Sequence, residues 1–207
     1  MAKIILKLGL LFICPFLLCS CATLGIEKVK YEVIEKEGKF EVRKYEPHII
    51  AETIVDSSFD EAGNIAFRRM FKYISGNNHA KKSIAMTAPV NQKASSEKIK
   101  MTAPVNMQKT EGQYSVSFLM PSKYTIETLP EPLDANVKLR TISAYKAAVI
   151  RYSGTWSQKR YKENKKLLED FIKRKSLKIT GEDIFARYDP PFQLWFIRRN
   201  EVIFPVE

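Results

Sequence analysis

Few side chains in this 207-residue chain could do covalent or metal chemistry: two histidines, His48 and His79, and three cysteines, Cys14, Cys19 and Cys21. The cysteines all precede Ala22, so no later residue carries a thiol. The histidines are not paired at zinc-ligand spacing, and neither a Gly-x-Ser-x-Gly elbow nor a Gly-rich phosphate loop occurs. With no recognised catalytic constellation, the expectation is a binding protein and not an enzyme.

The cysteines belong to a targeting segment. Residues 1–21 read MAKIILKLGLLFICPFLLCSC, with Lys3 and Lys7 ahead of an apolar run from Gly9 to Leu18. That is the pattern of an export signal, and the run falls short of the roughly 20 apolar residues a spanning helix needs. Leu18-Cys19-Ser20-Cys21 resembles a bacterial lipobox. The resemblance implies diacylglyceryl transfer to Cys21, cleavage before it and acylation of the new amino group, enough acyl chains for stable anchoring. Bulky Leu18 makes Cys19 the poorer acceptor, and Ala22 in place of Asp implies an outer-membrane address. The expected organisation is a lipoprotein signal peptide over residues 1–20, a lipidated Cys21 with a short tether to residue 29, and one domain over residues 30–207.

Composition agrees with a packed domain. Aromatic residues make up 11% and charged residues 28%, which excludes collagen-like and wholly disordered classes. Removing residues 1–20 takes away Lys3 and Lys7 and no acid, so the net charge of +11 falls by two. The basic runs are short, Lys81-Lys82, Lys165-Lys166 and Lys173-Arg174-Lys175, and read as solvated faces, not a nucleic-acid surface. Anionic lipids or cell-wall carboxylates are the expected charged partners.

Hydrophobic periodicity supplies the elements. Alternation predicts strands over Tyr31 to Ile34, Phe40 to Tyr45 and Ile49 to Val55. Ser58 with Glu61 fits a capping box, and Phe59, Ala62, Ala66, Met70 and Tyr73/Ile74 recur at helical spacing, so a helix is expected from Phe59 to Ile74, closed by Gly76. The pattern returns 97 residues later, where Val137 to Tyr152 aligns with Phe40 to Val55 and Arg140 falls on Arg43. A second helix is expected over Ser157 to Lys175. Between the units, Ile84–Asn91 and Ile99–Asn106 are identical at seven of eight positions; Met86 and Met101 are expected to fill core as flexible thioethers. After Asp189-Pro190-Pro191, strands are expected over Phe192 to Ile197 and Val202 to Val206.

Phe40-Glu-Val-Arg-Lys-Tyr45, Phe71-Lys-Tyr-Ile-Ser-Gly-Asn-Asn78, both Met-Thr-Ala-Pro-Val copies, Tyr188-Asp-Pro-Pro and Arg198-Arg-Asn-Glu-Val202 occur in order along the chain. Together they resemble the SOUL haem-binding protein family. The resemblance implies an α+β fold, a distorted antiparallel β-barrel built from a duplicated unit and flanked by two helices, similar to gyrase-inhibitor-like sensing domains. It implies non-covalent binding of haem, a related tetrapyrrole or another amphipathic small molecule. Carried over by position, the ligand surface would be Phe67, Arg68, Phe71 and Lys72, with Arg69 beside them. Where one vertebrate member has a proposed histidine ligand, this chain has Lys44, a poor iron ligand while protonated. His48 and His79, both in predicted turns, are the remaining candidate iron ligands, and weak or absent axial ligation is expected. Some relatives of the sensing domains are hydrolases, which makes an inward-facing carboxylate among Glu41, Glu52 and Glu201 an alternative to consider. A third reading is a partner-binding lipoprotein with no ligand.

Overall fold

A computed structural model describes residues 25–81 and 95–207. The expected signal peptide, the lipidation of Cys21 and the first Met-Thr-Ala-Pro-Val copy with Met86 lie outside the described residues. The chain runs β1 (Tyr31–Glu37), β2 (Phe40–Tyr45), β3 (His48–Val55), α1 (Phe59–Ile74), β4 (Asn78–His79), β5 (Val105–Thr110), β6 (Gln113–Leu119), β7 (Glu131–Pro132), β8 (Lys138–Ile142), β9 (Tyr145–Tyr152), α2 (Gln158–Arg174), β10 (Ile184–Arg187) and β11 (Asn200–Pro205).

Nine strands form one antiparallel sheet in the order β1-β2-β9-β11-β10-β5-β6-β3-β8, and β4 pairs with β7 separately. The sheet curls into a half-barrel with two helices, the α+β architecture expected, but β1 and β8 remain edges and do not close a barrel. The duplication is visible in the pairing. Exchanging β2 with β8, β3 with β9, β6 with β11 and β5 with β10 gives the same strand order from the opposite edge, with β10 on β5 at its centre. β3 and β9 correspond residue for residue at the 97-residue offset. Of the nine strands of this sheet, only β1 stands outside this correspondence.

Strand alternation divides the sheet into two faces. Val42, Ala148, Ile150, Val202 and Phe204 pack under Leu168, Phe171 and Ile172 of α2. Ala51 and Phe118 pack under Met70, Tyr73 and Ile74 of α1. Each large side chain so buried contributes about 1.5–3 kcal/mol, which is why these amphipathic segments hold as helices. Ser58 caps α1 by accepting from the Glu61 N–H, and Gly76 at φ 117° allows the turn in which Asn77 N–H reaches the Lys72 carbonyl.

Four sequence expectations need correction. Phe192 to Ile197 is not a strand: Arg198 donates to the Pro191 and Gln193 carbonyls, and a 3-10 turn occupies Trp195–Ile197. The carbonyls a ladder would use are thereby engaged locally. Met101 is exposed and does not fill core. His48 and His79 lie in strands β3 and β4 instead of turns. The supposed tether is docked from residue 26: Ile26 and Val29 pack into a core cluster, and Ala103 N–H donates to the Glu27 carbonyl.

Candidate ligand-binding site

The inner face of the sheet, opposite the helices, is split into a closed half and an open half. On β2, alternation turns Glu41, Arg43 and Tyr45 inward while Phe40 and Val42 face α2. On β11 it does the same for Glu201 and Ile203. Arg43 and Glu201, both fully buried, meet in a two-pronged pair with Nη–Oε distances of 2.9 and 3.0 Å. Arg199 adds a bond of 2.8 Å to Glu201 Oε1, and the Tyr188 hydroxyl donates to Oε2 at 2.8 Å. Glu41 takes the remaining Arg43 edge at 2.8 Å, and the Tyr31 ring lies 4.2 Å from the Arg43 guanidinium.

This layer has self-consistent electrostatics. Burial alone would raise the Glu201 pKa, but hydrogen bonds and charge from Arg43, with the charge of Arg199, hold the carboxyl below the usual value. Burial raises Tyr188 and Tyr45, and the Glu201 charge raises them further, so both stay protonated, Tyr188 donating to Glu201 and Tyr45 accepting from Arg43. Glu201 is inward-facing, as the hydrolase reading requires. Its lone pairs are nevertheless taken by two arginines and a tyrosine, leaving a carboxylate that is a structural counter-ion and a poor general base.

The open half carries the corresponding positions with different partners. A cleft of about 320 Å³ is lined by His48, Glu52, Asn106, Ser117, Arg140 and Tyr145, among others. Arg140 Nη2 donates to Glu52 Oε2 at 2.9 Å, and Arg140 is largely exposed. The Asn106 amide oxygen is buried with no partner among the described residues. His48 sits at the rim, its Nδ1 2.8 Å from the Glu46 carbonyl; a carbonyl only accepts, so Nδ1 carries the proton. Burial lowers the His48 pKa.

The third surface is the outer side of α1. Phe67 and Phe71, one turn apart, lie nearly parallel with ring centroids 6.0 Å apart, and Phe67 also meets Phe118 beneath it. They are 37% and 47% exposed, a large apolar area to leave in water. Arg68 and Lys72, each following a phenylalanine, are exposed beside them. Arg69 is engaged instead, donating to Thr53 and paired with Asp134 at 3.3 Å. Helical spacing thus brings the four family-implied residues onto one surface, while His48 belongs to the inner cleft and His79 pairs across to Glu131 on β7. Lys44 is exposed on β2. Among the described residues no three His, Cys, Asp or Glu side chains gather to hold a metal ion. Sequence reading misses the Arg43–Glu201–Arg199 layer, although the 97-residue repeat marks Arg43 and Arg140 as equivalent.

The chain belongs to the SOUL heme-binding protein family, matching it over residues 26–205. It is 26% identical to heme-binding protein 2 of Mus musculus over 184 residues, 84% of this chain and 85% of that one. By structure it is similar to the C-terminal domain of EcmrR, with a TM-score of 0.59 at 11% identity over 86% of this chain and 98% of that one. A hydrolase from Listeria innocua is similar at TM-score 0.53 and 11% identity, covering 84% of this chain and 94% of the other. These structural likenesses concern the fold.

Proposed function

We propose that the protein binds haem or a related tetrapyrrole non-covalently, without turning it over, while anchored to the cell envelope by a lipidated Cys21. The observation that carries the reading is the exposed, near-parallel Phe67/Phe71 pair flanked by Arg68 and Lys72, in a chain of this family. A flat apolar macrocycle lies on such a pair, and its propionates meet guanidinium and ammonium groups at the edge. The residues present fit the ring and its acid groups better than they fit the metal. His48 has Nδ1 committed to the Glu46 carbonyl, leaving Nε2 as its only free nitrogen, and it stands at the inner cleft, not on the α1 surface. A haem held here would add its iron chemistry and colour, and the chain would supply the apolar seat and the cations.

Titrating residues 22–207 with hemin tests this. A saturable Soret change at micromolar hemin is expected, weakened about tenfold or more in Phe71→Ala/Lys72→Ala, about 1.4 kcal/mol of binding. Both substitutions are at exposed positions, so the variant should keep the stability of the parent. No saturable change, or an unaffected variant, overturns the reading. Anchoring is tested separately: a fatty-acid analogue should label the full chain and fail to label Cys21→Ser.

A further inference from the structure

Between β10 and β11 the chain presents Pro190-Pro191-Phe192-Gln193-Leu194-Trp195-Phe196-Ile197. Five of the six residues from Phe192 to Ile197 are large and apolar, and each of the five is at least half exposed, Phe192 at 78%. The loop is not loose chain. Arg198 donates to the Pro191 carbonyl at 2.5 Å and the Gln193 carbonyl at 2.8 Å, and its guanidinium stacks 4.5 Å from the Trp156 ring. Arg199 N–H donates to Asp189, and Ile197 N–H to the Leu194 carbonyl, closing the base and the tip. A well-bonded loop that holds five apolar side chains in water is an interaction surface, since monomers rarely leave such a contiguous patch uncovered.

Its position selects the occupant. Tyr188, which leads into the loop, shares a core cluster with Ala103 and Ile26, and Ala103 is bonded to Glu27 and bridged to Lys28. The root of the loop and the first described residues therefore lie at one end of the molecule. Only Ala22, Thr23 and Leu24 separate Cys21 from Gly25, a reach of about 14 Å when extended. Lys28, bridged to Ala103, and Lys100, three residues before Ala103, are exposed and complement anionic headgroups. Trp and Phe beside cations are the composition of segments that settle at a membrane interface.

We propose that Phe192–Ile197 is a wedge that inserts into the acyl boundary of a phospholipid bilayer, fixing the orientation of the domain on the membrane. The choice of a bilayer as occupant rests on the anchored reading above. The wedge supplies the second contact, so that the domain is seated by the loop and not merely leashed by its first residue.

The test uses residues 22–207, which include every element described and no acyl group. Trp156→Phe leaves Trp195 as the only tryptophan. On vesicles of phosphatidylethanolamine and phosphatidylglycerol, Trp195 emission should shift to the blue and be quenched by phospholipids brominated on their acyl chains. Phe192→Ser/Phe196→Ser should weaken partitioning by about tenfold or more, as expected for removing two inserted rings. Trp195 emission unchanged by these vesicles overturns the proposal. So does emission that responds to hemin, or to protein concentration alone, while remaining indifferent to lipid. Fatty-acid labelling of the full chain reads the anchor independently. Insertion without labelling keeps the wedge and removes the anchor; labelling without insertion removes the wedge alone.

Discussion

Arg43 and Arg140 occupy the same place in two copies of one unit, yet they have different work. Arg43 is buried against Glu201 and held on every side by Glu41, Tyr45 and the Tyr31 ring. Arg140 reaches into an open cleft to Glu52, and its side chain is 56% exposed. The acid has moved between the copies. By the strand pairing, Glu201 on β11 corresponds to Ser115 on β6, and Glu52 on β3 corresponds to Val149 on β9. What closes the first half is the chain leading into the one strand without a counterpart: Ile26 and Val29, with Tyr31 at the start of β1, lie over Tyr45, Ala147 and Tyr188. The duplicated sheet thus supplies two similar concave halves, and the N-terminal segment turns one of them into core. The cleft of about 320 Å³ lined by Glu52 and Arg140 lies in the half without it.

The largest expected effect follows from that burial. Glu201→Gln leaves buried Arg43 and half-buried Arg199 beside a neutral amide and should cost roughly 3–5 kcal/mol of stability, read by urea denaturation. If that variant is too unstable to isolate, the acid limb of the wild type carries the same information. The Glu201 carboxyl is held below its unfolded value near 4.5, and so is that of Glu41. A depressed folded pKa means that the unfolded state binds protons first. Stability from this layer is therefore complete above the unfolded value and lost as pH falls through the folded one. A wild-type stability that stays flat from pH 5 downward would break the contrast between the halves.

Arg140→Ala makes the paired measurement in the open half. An exposed arginine bonded to one carboxylate is worth about 0–1 kcal/mol, because water and salt compete for both partners. Two arginine–carboxylate pairs built on equivalent arginines should thus differ several-fold in their effect on stability. Equal losses at Glu201 and Arg140 would mean that closure of the first half contributes little.

Much of the fold is legible in the sequence. α1 begins and ends where Ser58, Glu61 and Gly76 mark it, because capping and periodicity are local. The 97-residue offset places β3 on β9 without a residue of slippage. The charged layer stays hidden because its members meet only when β2, β9 and β11 pair, with 158 residues separating Arg43 from Glu201. A carboxylate in a strand gives no local sign of which face it takes or what waits there. The apolar loop misleads for the opposite reason. Phe192 to Ile197 has the composition of a strand, and only the bonds from Arg198 to the Pro191 and Gln193 carbonyls keep it out of the sheet. The α1 surface is reached through family resemblance, while exposure of its phenylalanines is a property of packing that spacing alone does not report.

The smallest effect expected is at His48, on the rim of the open half, and it separates cleanly from the others by pH. Its Nδ1 proton is donated to the Glu46 carbonyl, so the nitrogen that takes up a second proton is Nε2. Burial makes the charged ring unfavourable, and the folded pKa lies below the unfolded value of 6.5. As pH drops from neutrality past 6.5, the unfolded chain protonates first and the native state loses stability. His48→Gln keeps an amide donor for the Glu46 carbonyl and removes the titration. Denaturation at about pH 5.5 and 7.5 should then show a smaller pH difference in the variant than in the wild type, well above the window in which Glu201 and Glu41 respond. An identical pH dependence in both proteins would mean that His48 is solvated in the native state, and that the open half reaches further toward the rim than its lining implies.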